Sequence, residues 1–244
     1  MKTVLVTGSS SGLGKSIIEK YASNGYNTII TYLTHENEAL KFNEYIKNKY
    51  KVKSVCVKLD ISEENDIQNL YELILNEFSK IDVLVNNASI CNDTLFEDKT
   101  KDNFMKIIEV NLVGTFLMSK TFGKLMYNNK NGSIINISSN NGIDSYYSES
   151  LDYDASKAGV INLSHNLANV FSPYVRVNTI CPGWIETPMN ENMSEEFKNK
   201  EINKILLKRF ASPEEISNLV YFLSSDEASY INDSVIKIDG GKVC

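Results

Sequence analysis

Short β-branched apolar runs alternate with longer amphipathic segments along most of the chain. Such alternation predicts repeated strand-helix-strand units around a parallel sheet. The runs are nearly continuous in apolar residues, as expected of strands covered by helices. The predicted strands are KTVLVT, YNTIITY, KSVCVKL, IDVLVNN, GSIINIS, VRVNTI and SVIKID. The pattern therefore predicts an α/β fold with a doubly wound sheet of seven mostly parallel strands, flanked by helices on both faces.

The amphipathic segments between these strands predict helices. They span Gly14–Asn24, His35–Tyr50, Ser62–Ser79, Lys101–Asn128, Asp152–Ser172, Glu191–Phe210 and Pro213–Ser224. Ser62 and Ser212 are the predicted N-caps of two helices, and Pro213 stands in a first turn. No linker, repeat or low-complexity tract interrupts the series, so residues 1–244 are expected to form one domain.

Composition narrows the classes of function. The chain has 244 residues, of which 42% are apolar and 23% charged, as in ordinary globular proteins. Its net charge of -6 disfavours nucleic acid and anionic membranes as partners. Without a targeting segment or a long apolar run, a cytoplasmic protein is expected. The scattered Cys56, Cys91, Cys181 and Cys244 suggest free thiols, and two histidines make a metal site unexpected.

The stretch VLVTGSSSGLG lies where the first strand passes into the first helix. Its Gly8-x-Ser10-x-Gly12 spacing matches the nucleophile elbow of a serine hydrolase. An elbow needs an oxyanion hole from an earlier strand-helix loop, which so early a turn cannot have. The glycines and serines instead favour a turn that admits a cofactor pyrophosphate to the helix N-terminus. A tight turn without a ligand is the alternative interpretation.

Tyr153 and Lys157 stand four residues apart in a predicted helix, so both side chains project from one face. An ammonium beside a phenol favours the phenolate and lowers the phenol pKa, which suits an acid-base pair. Because this spacing arises often by chance, a surface pair without catalytic meaning is the alternative.

Other polar positions leave two interpretations each. Ser138 and Ser139 end the fifth predicted strand, where a hydroxyl either meets a carbonyl oxygen or forms a turn. Asn111 lies inside a predicted helix, where its amide either faces solvent or joins a buried polar network. Trp184, the one tryptophan, either lines a substrate pocket or packs in the core.

Eight motifs follow one another along the chain: TGSSSGLG, LDIS, NNAS, Asn111, ISS, YDASK, VNTICPGWIETPM and IDGG. This order resembles the short-chain dehydrogenase/reductase family over residues 2–241. LLKRFASPEEISNLVYFLSSDEASYI is similar to the 3-oxoacyl-(acyl carrier protein) reductase-like members. The resemblance implies a Rossmann-like fold and an NAD(P)H-dependent oxidoreductase that transfers hydride between nicotinamide and a carbonyl or secondary alcohol, a 3-oxoacyl thioester among the candidates.

The resemblance also implies catalytic roles. Tyr153 would be the general acid for carbonyl reduction and the base for alcohol oxidation. Lys157 would lower its pKa and hold the nicotinamide ribose. Ser139 would hydrogen-bond the substrate oxygen, and Asn111 would tie Lys157 through water into a proton relay. Ser139 is preferred to Ser138 because it directly precedes NNG, although it stands one residue further from Tyr153 than in the carrier-protein reductases.

Cofactor contacts follow from the same resemblance. The pyrophosphate would be lined by Gly8, Ser10, Gly12, Leu13 and Gly14, and the adenine by Asp60 and Ile61. The adjoining ribose would meet Asn87, Ala88 and Ser89. The nicotinamide carboxamide would meet Pro182, Gly183, Ile185 and Thr187. A substrate lid is expected over about residues 186–210.

The residues after the second strand decide between NAD and NADP. Tyr32 stands where an NAD-selective acid would accept hydrogen bonds from the ribose diol. Leu33 and Ser11 stand where NADP users often carry basic residues, and Thr34 or His35 lies within reach of a phosphate. Because the acid is absent, NADP(H) is favoured and NAD(H) is the alternative.

Other functions fit the same fold. One alternative is a catalytically silent NAD(P)-binding regulatory protein, and another is a family reductase or dehydrogenase acting on a polar polyol or sugar. The joint presence of Asn111, Ser139, Tyr153 and Lys157 favours an enzyme with a small-molecule carbonyl or alcohol substrate. Relatives are commonly homotetramers, so a homotetramer, or failing that a homodimer, is expected.

Overall fold

A seven-stranded sheet forms the centre of the computed structural model, which describes residues 1–144, 147–190 and 193–241. Its strands are β1 (Thr3–Val6), β2 (Asn27–Tyr32), β3 (Ser54–Lys58), β4 (Val83–Asn86), β5 (Gly132–Ile137), β6 (Val175–Pro182) and β7 (Val235–Ile238). They lie in the order β3-β2-β1-β4-β5-β6-β7, and every neighbouring pair is parallel. The predicted strands and the doubly wound α/β fold are confirmed.

Helices cover both faces of the sheet. They are α1 (Gly12–Ser23), α2 (Glu36–Tyr50), α3 (Glu64–Glu77), α4 (Lys101–Ile108), α5 (Thr115–Asn128), α6 (Leu151–Phe171), α7 (Glu195–Lys204) and α8 (Pro213–Ser224). Alternate residues of β1 face opposite layers: Val4 and Val6 pack with α1, α2 and α8, whereas Leu5 packs with α3, α5 and α6. This alternation produces two apolar cores, one on each side of the sheet.

Two predicted helices are shorter or less regular than expected. The predicted Lys101–Asn128 helix is α4 and α5 joined by a π-helical segment, Glu109–Gly114. The predicted Glu191–Phe210 helix is only α7, and its first two residues lie outside the described part of the chain. It ends early because Ile205 is buried in an extended conformation and Leu206 donates its N–H to the Gly241 carbonyl.

The two predicted caps have different outcomes. Ser212 caps α8 through a capping box with Glu215, as expected. The prediction for Ser62 is wrong, because α3 begins at Glu64 and Glu63 takes the N-cap position without a side-chain bond. The Ser62 hydroxyl donates instead to Oδ1 of Asp60, 2.5 Å away, and so closes the loop after β3.

The strand order places a crevice between β1 and β4, where the winding of the sheet reverses. In open α/β sheets, ligands bind at such a switch point, outside the carboxyl ends of the strands. The residues that follow β1 and β4 therefore face the expected binding crevice.

Cys56, Cys91 and Cys181 are free, and Cys244 lies outside the described residues. Within residues 1–144, 147–190 and 193–241, no helix combines the length and apolarity that crossing a bilayer requires. Over those same residues, no three His, Cys, Asp or Glu side chains group as metal ligands do.

Candidate functional site

Hydrogen bonds at the switch point join the ends of β1 and β4. The Thr7 hydroxyl accepts from the backbone N–H groups of Asn87 and Ala88, each at 2.9 Å. The Asn87 amide donates back to the carbonyls of Thr7 at 2.9 Å and Gly8 at 3.1 Å. These reciprocal bonds hold the turn after β1 against the NNAS segment.

The turn between β1 and α1 leaves no room for a side chain at Gly14. A Cβ on Gly14 would lie 2.5 Å from the Gly8 carbonyl oxygen and 2.8 Å from the Asn87 amide nitrogen. Gly8 itself has φ of +60°, a left-handed conformation that favours glycine. The backbone of this turn is therefore closely packed and open to a ligand on its outer side.

The N-terminus of α1 is suited to an anion. Ser11 occupies the N-cap position without a side-chain cap bond, and the first turn carries no acidic residue. The N–H groups of a first helical turn lack intrahelical partners, and the helix dipole favours negative charge there. The turn thus fits the pyrophosphate of a dinucleotide.

The three serines of this turn differ in their surroundings. Ser9 is fully buried, donates to the Val6 carbonyl at 2.8 Å and accepts from the Thr31 N–H at 3.0 Å. Ser10 is half-buried and Ser11 is exposed. Ser9, which the sequence analysis gave no role, is therefore the structural serine, and the two proposed cofactor contacts remain accessible.

The first residue of α2, Glu36, places an acidic group beside the end of β2 that sequence reasoning missed. The Tyr32 ring is buried, and its hydroxyl donates to Oε1 of Glu36 at 2.9 Å. Leu33 is half-exposed and Thr34 is exposed beside it. Glu36 thus brings a carboxylate to Tyr32, which stands where the resemblance expects an acid.

The proposed adenine residues lie after β3. The Asp60 carboxylate accepts from both the backbone and the hydroxyl of Ser62. The Ile61 side chain is buried against Gly114 of the π-helical segment. The first contact orders the loop, and the second seats it on the long interrupted helix.

Tyr153 and Lys157 lie together at the carboxyl end of β5. Both project from α6, and the Lys157 ammonium nitrogen is 5.3 Å from the centre of the Tyr153 ring. The same nitrogen donates to the Ile137 carbonyl oxygen at 2.9 Å, and the side chain is buried. Because the lysine is buried, Tyr153 and Lys157 do not form a surface pair.

Burial dominates the titration of this pair. It raises the pKa of the Tyr153 phenol, although a hydrogen bond with Ser139 lowers it. Burial also lowers the pKa of Lys157 to about 8. The expected lowering of the Tyr153 pKa is therefore wrong for the protein without cofactor, because desolvation penalises the phenolate.

The adjacent serines do different things. Ser138 is buried and donates to the Lys157 carbonyl at 2.8 Å, which ties α6 to the end of β5. The Ser139 hydroxyl donates to Oδ1 of Asn140 at 3.4 Å and accepts from the Asn141 N–H at 3.2 Å. It also lies near enough to the Tyr153 phenol to lower the phenol pKa. Ser139 is thus the serine beside the reactive phenol.

Asn111 lies in the π-helical segment and is fully buried. Its carbonyl oxygen accepts from the Ile90 N–H at 2.8 Å, and its amide donates to the Ile90 carbonyl at 2.9 Å and the Ser156 hydroxyl at 3.0 Å. Of the two interpretations, the buried network is correct. Asn111 thereby joins the loop after β4 to α6, one residue before Lys157.

The segment after β6 passes over the turn after β1. The side chains of Thr187 and Pro188 lie 3.7 and 3.8 Å from the position that a Cβ of Gly12 would take. Upstream, Gly183 donates its N–H to the Ile238 carbonyl, and Ile185 pairs with Ala211. The proposed carboxamide contacts and the proposed pyrophosphate turn therefore face the same crevice.

Comparisons with known proteins agree with this arrangement. Residues 8–242 match the family model described as Enoyl-(Acyl carrier protein) reductase. The 3-oxoacyl-(acyl carrier protein) reductase of Aquifex aeolicus is 42% identical over 241 residues, 98% of this chain and 96% of the relative. Glucose 1-dehydrogenase 2 of Bacillus subtilis is 35% identical over 246 residues, 98% of this chain and 94% of the relative. The crystal structure of a 3-oxoacyl-(acyl carrier protein) reductase from Brucella melitensis has a TM-score of 0.91 at 25% identity, covering 99% of this chain and 91% of that one.

Substitution of Gly14 by alanine tests the packing of the turn. The added methyl group would meet the Gly8 carbonyl at 2.5 Å, so the turn must shift. We expect Gly14→Ala to lower the free energy of unfolding by about 1–3 kcal/mol, measured by urea denaturation. Ser10→Ala, which adds no atoms to the same turn, is the control and should change it by less than about 0.5 kcal/mol. Equal stability of the two variants would contradict the close packing.

Proposed function

The chain belongs to the short-chain dehydrogenase/reductase family, and we propose that within it the protein is an NADP(H)-dependent reductase of 3-oxoacyl thioesters carried by acyl carrier protein. Membership makes it an oxidoreductase that transfers hydride between nicotinamide and a carbonyl or secondary alcohol. The observation that carries the proposal is the buried Lys157 ammonium beside the Tyr153 ring, with Ser139 at the phenol. The named 3-oxoacyl reductases among its relatives supply the substrate class.

The residues of the crevice fit a nicotinamide dinucleotide. The α1 N-terminus with Gly8, Gly12 and Gly14 would hold the pyrophosphate, because its amides are open and the packing at Gly14 excludes a side chain. The remaining contacts would come from Ser10, Ser11, Leu13, Tyr32, Leu33, Thr34, Asp60, Ile61, Asn87, Ala88, Ser89, Tyr153, Lys157, Pro182, Gly183, Ile185 and Thr187. When bound, the nicotinamide supplies the hydride for reduction.

Tyr153 is the proposed general acid. Burial raises its pKa, so the phenol carries its proton at neutral pH and can donate it. As the carbonyl carbon gains a C–H bond, the oxygen takes the phenol proton and becomes a hydroxyl. Ser139 donates a hydrogen bond to that oxygen while charge develops on it. The alcohol product leaves Tyr153 as a phenolate.

Lys157 stabilises the phenolate that remains. Its ammonium is 5.3 Å from the ring centre and is shielded from water, so their attraction is only weakly screened. It also holds the ribose hydroxyls in the proposed site. Return of a proton to Tyr153 runs through Lys157 and a water held near Asn111, which the buried Asn111 network would position.

A silent regulatory protein is less well supported. A nucleotide sensor needs the crevice but gains nothing from burying a lysine against a phenol, which costs free energy. A sugar or polyol dehydrogenase is the second candidate, because the Bacillus subtilis relative carries that kind of name. The loop after β5 supports it through its polar residues, although Ser145 and Tyr146 lie outside the described residues.

The remaining expectations concern the protein as a whole. We propose a homotetramer in the cytoplasm, each chain a single domain, with residues 186–210 as the substrate lid. The proposed partner at the site is a small-molecule thioester, and the net charge of -6 disfavours nucleic acid and anionic membranes. The single seven-stranded sheet supports one domain, and the resemblance supports the other expectations.

Removal of the Tyr153 hydroxyl tests the catalytic role. Tyr153→Phe is expected to reduce kcat for a 3-oxoacyl thioester by about 10²–10⁴-fold, because the general acid is lost. Binding of NADPH should change little, and nicotinamide absorbance and fluorescence report the two quantities. Ser138→Ala, at the serine that donates to the Lys157 carbonyl, should retain far more activity than Ser139→Ala. Equal turnover of Tyr153→Phe and the wild type would remove Tyr153 from its role, and turnover of glucose alone would favour the second candidate.

The buried lysine predicts a pH dependence. Lys157 has a pKa of about 8 in the free protein, so its ammonium is present below that pH and lost above it. We expect kcat/KM for NADPH to be level below about pH 8 and to fall about tenfold for each further unit, because this parameter reports the free enzyme. Lys157→Met should have lower activity without that decline. A decline of the same position in the variant would assign it to another group.

The preferred dinucleotide is tested by fluorescence titration. NADPH is expected to bind more tightly than NADH, since Tyr32 replaces the acid that would repel a 2′-phosphate. The Glu36 carboxylate at the Tyr32 hydroxyl weakens this preference, so Glu36→Gln should tighten NADPH binding a few-fold and leave NADH unchanged. Tighter binding of NADH by the wild-type protein would reverse the assignment.

A further inference from the structure

A buried carboxylate lies in the middle of α7. Only 1% of Glu201 is exposed. Its Oε1 pairs with the Lys204 ammonium at 2.6 Å, and its Oε2 accepts from the Tyr147 hydroxyl at 2.5 Å and the Trp184 indole N–H at 3.2 Å. Glutamate is rarely buried this completely unless it is paired, and here three donors compensate it.

The partners of Glu201 come from both sides of the proposed substrate site. Tyr147 belongs to the loop between β5 and α6, which leads from Ser139 to Tyr153. Trp184 belongs to the segment after β6, between the proposed carboxamide contacts Gly183 and Ile185. One side chain of α7 therefore bonds to the two segments that border the reacting groups.

Aromatic rings pack around Trp184, one of the partners of the Glu201 carboxylate. The Trp184 ring stacks on Phe210 at 5.6 Å and 19°, and it meets Phe197 edge to face at 6.1 Å. Tyr147 approaches Trp184 edge to face at 6.3 Å. Of the two interpretations of Trp184, packing describes its contacts, but this packing lies between α7 and the site rather than inside a sheet core.

The hydrogen bonds of Glu201 depend on the position of α7. Burial raises the pKa of Glu201, but Lys204, Tyr147 and Trp184 together bring it below its usual value, so the group is charged at neutral pH. Lys204 lies on α7 itself and would move with it, whereas Tyr147 and Trp184 would stay behind. Displacement of α7 thus breaks two charge-assisted bonds, each stronger than a neutral one.

We propose that Glu201 is a positioning residue that fastens α7 over the substrate side of the site by binding Tyr147 and Trp184 together. The inference deepens the proposed function, because it assigns the contact that determines the position of the proposed lid. It does not require the reaction for its test, since the bonds form in the protein without substrate.

The single tryptophan makes the contact measurable. In Glu201→Ala, the Trp184 emission is expected to move to longer wavelength and acrylamide quenching to increase, because displacement of α7 exposes the indole to water. Trypsin cleavage after Lys198 of α7, where the substitution leaves the cleaved bond unchanged, should become about tenfold faster or more, since two bonds to a charged group no longer oppose opening. In turnover, KM for the acyl thioester should rise more than kcat falls.

Two further variants keep the test decisive. Glu196→Ala removes an exposed carboxylate from the same helix and should match the wild type in every readout. Tyr147→Phe removes only one donor and should shift quenching and cleavage in the same direction as Glu201→Ala, by less.

Wild-type cleavage and quenching in Glu201→Ala would overturn the proposal. If Glu201→Ala unfolds as a whole, wild-type behaviour of Tyr147→Phe would overturn it, and faster cleavage of Tyr147→Phe with an unchanged melting temperature would support it. Quenching and cleavage are measured without turnover, so a loss of activity in Tyr153→Phe does not affect them. Failure of the proposed function can therefore be distinguished from failure of the proposal for Glu201.

Discussion

The exchange of hydrogen bonds between Thr7 and the Asn87–Ala88 backbone is the contact on which the site depends. It lies at the switch point, where β1 and β4 are neighbours in the sheet although Thr7 and Asn87 are 80 residues apart in sequence. Asn87 also binds the Gly8 carbonyl, so the turn after β1 cannot move independently of the end of β4. The close approach of Gly14 to the same carbonyl follows from this constraint, and with it the direction in which the first amides of α1 point.

The second constraint is the burial of charge at the end of β5. Lys157 loses water on entering the site, and the Ile137 carbonyl replaces only part of its hydration. The cost appears as a lowered pKa, and the same low-polarity surroundings raise the pKa of Tyr153. Both shifts favour uncharged groups in the free protein. A phenolate formed at Tyr153 would reverse that balance for Lys157, because an anion beside an ammonium favours its charged form.

The sequence predicts the sheet well because buried parallel strands carry their own signal, a short run of apolar residues. It predicts contacts between distant elements less well. The π-helical turn at Asn111 depends on Ile90 and Ser156, which come from other elements, so the local sequence reads as one continuous helix. The early end of α7 depends on the Gly241 carbonyl in the same way. The order of the motifs identifies Tyr153, Lys157 and Ser139 as candidate site residues. The direction of the Tyr153 pKa shift depends on burial of the phenol, which the sequence does not show.

The two halves of the site are built by different kinds of contact. On the proposed cofactor side, backbone groups bond to backbone groups or to short side chains such as Thr7 and Asn87, and the packing at Gly14 excludes a side chain. On the substrate side, long side chains meet: Glu201 with Tyr147 and Trp184, and Trp184 with Phe210. Backbone contacts resist displacement, because moving one bond shifts the whole strand end. Contacts between side chain tips can be broken by rotating an element, and they can change in sequence without disturbing the sheet. This division suits a family whose members share a dinucleotide but differ in substrate, because one half of the site must remain constant while the other admits different ligands.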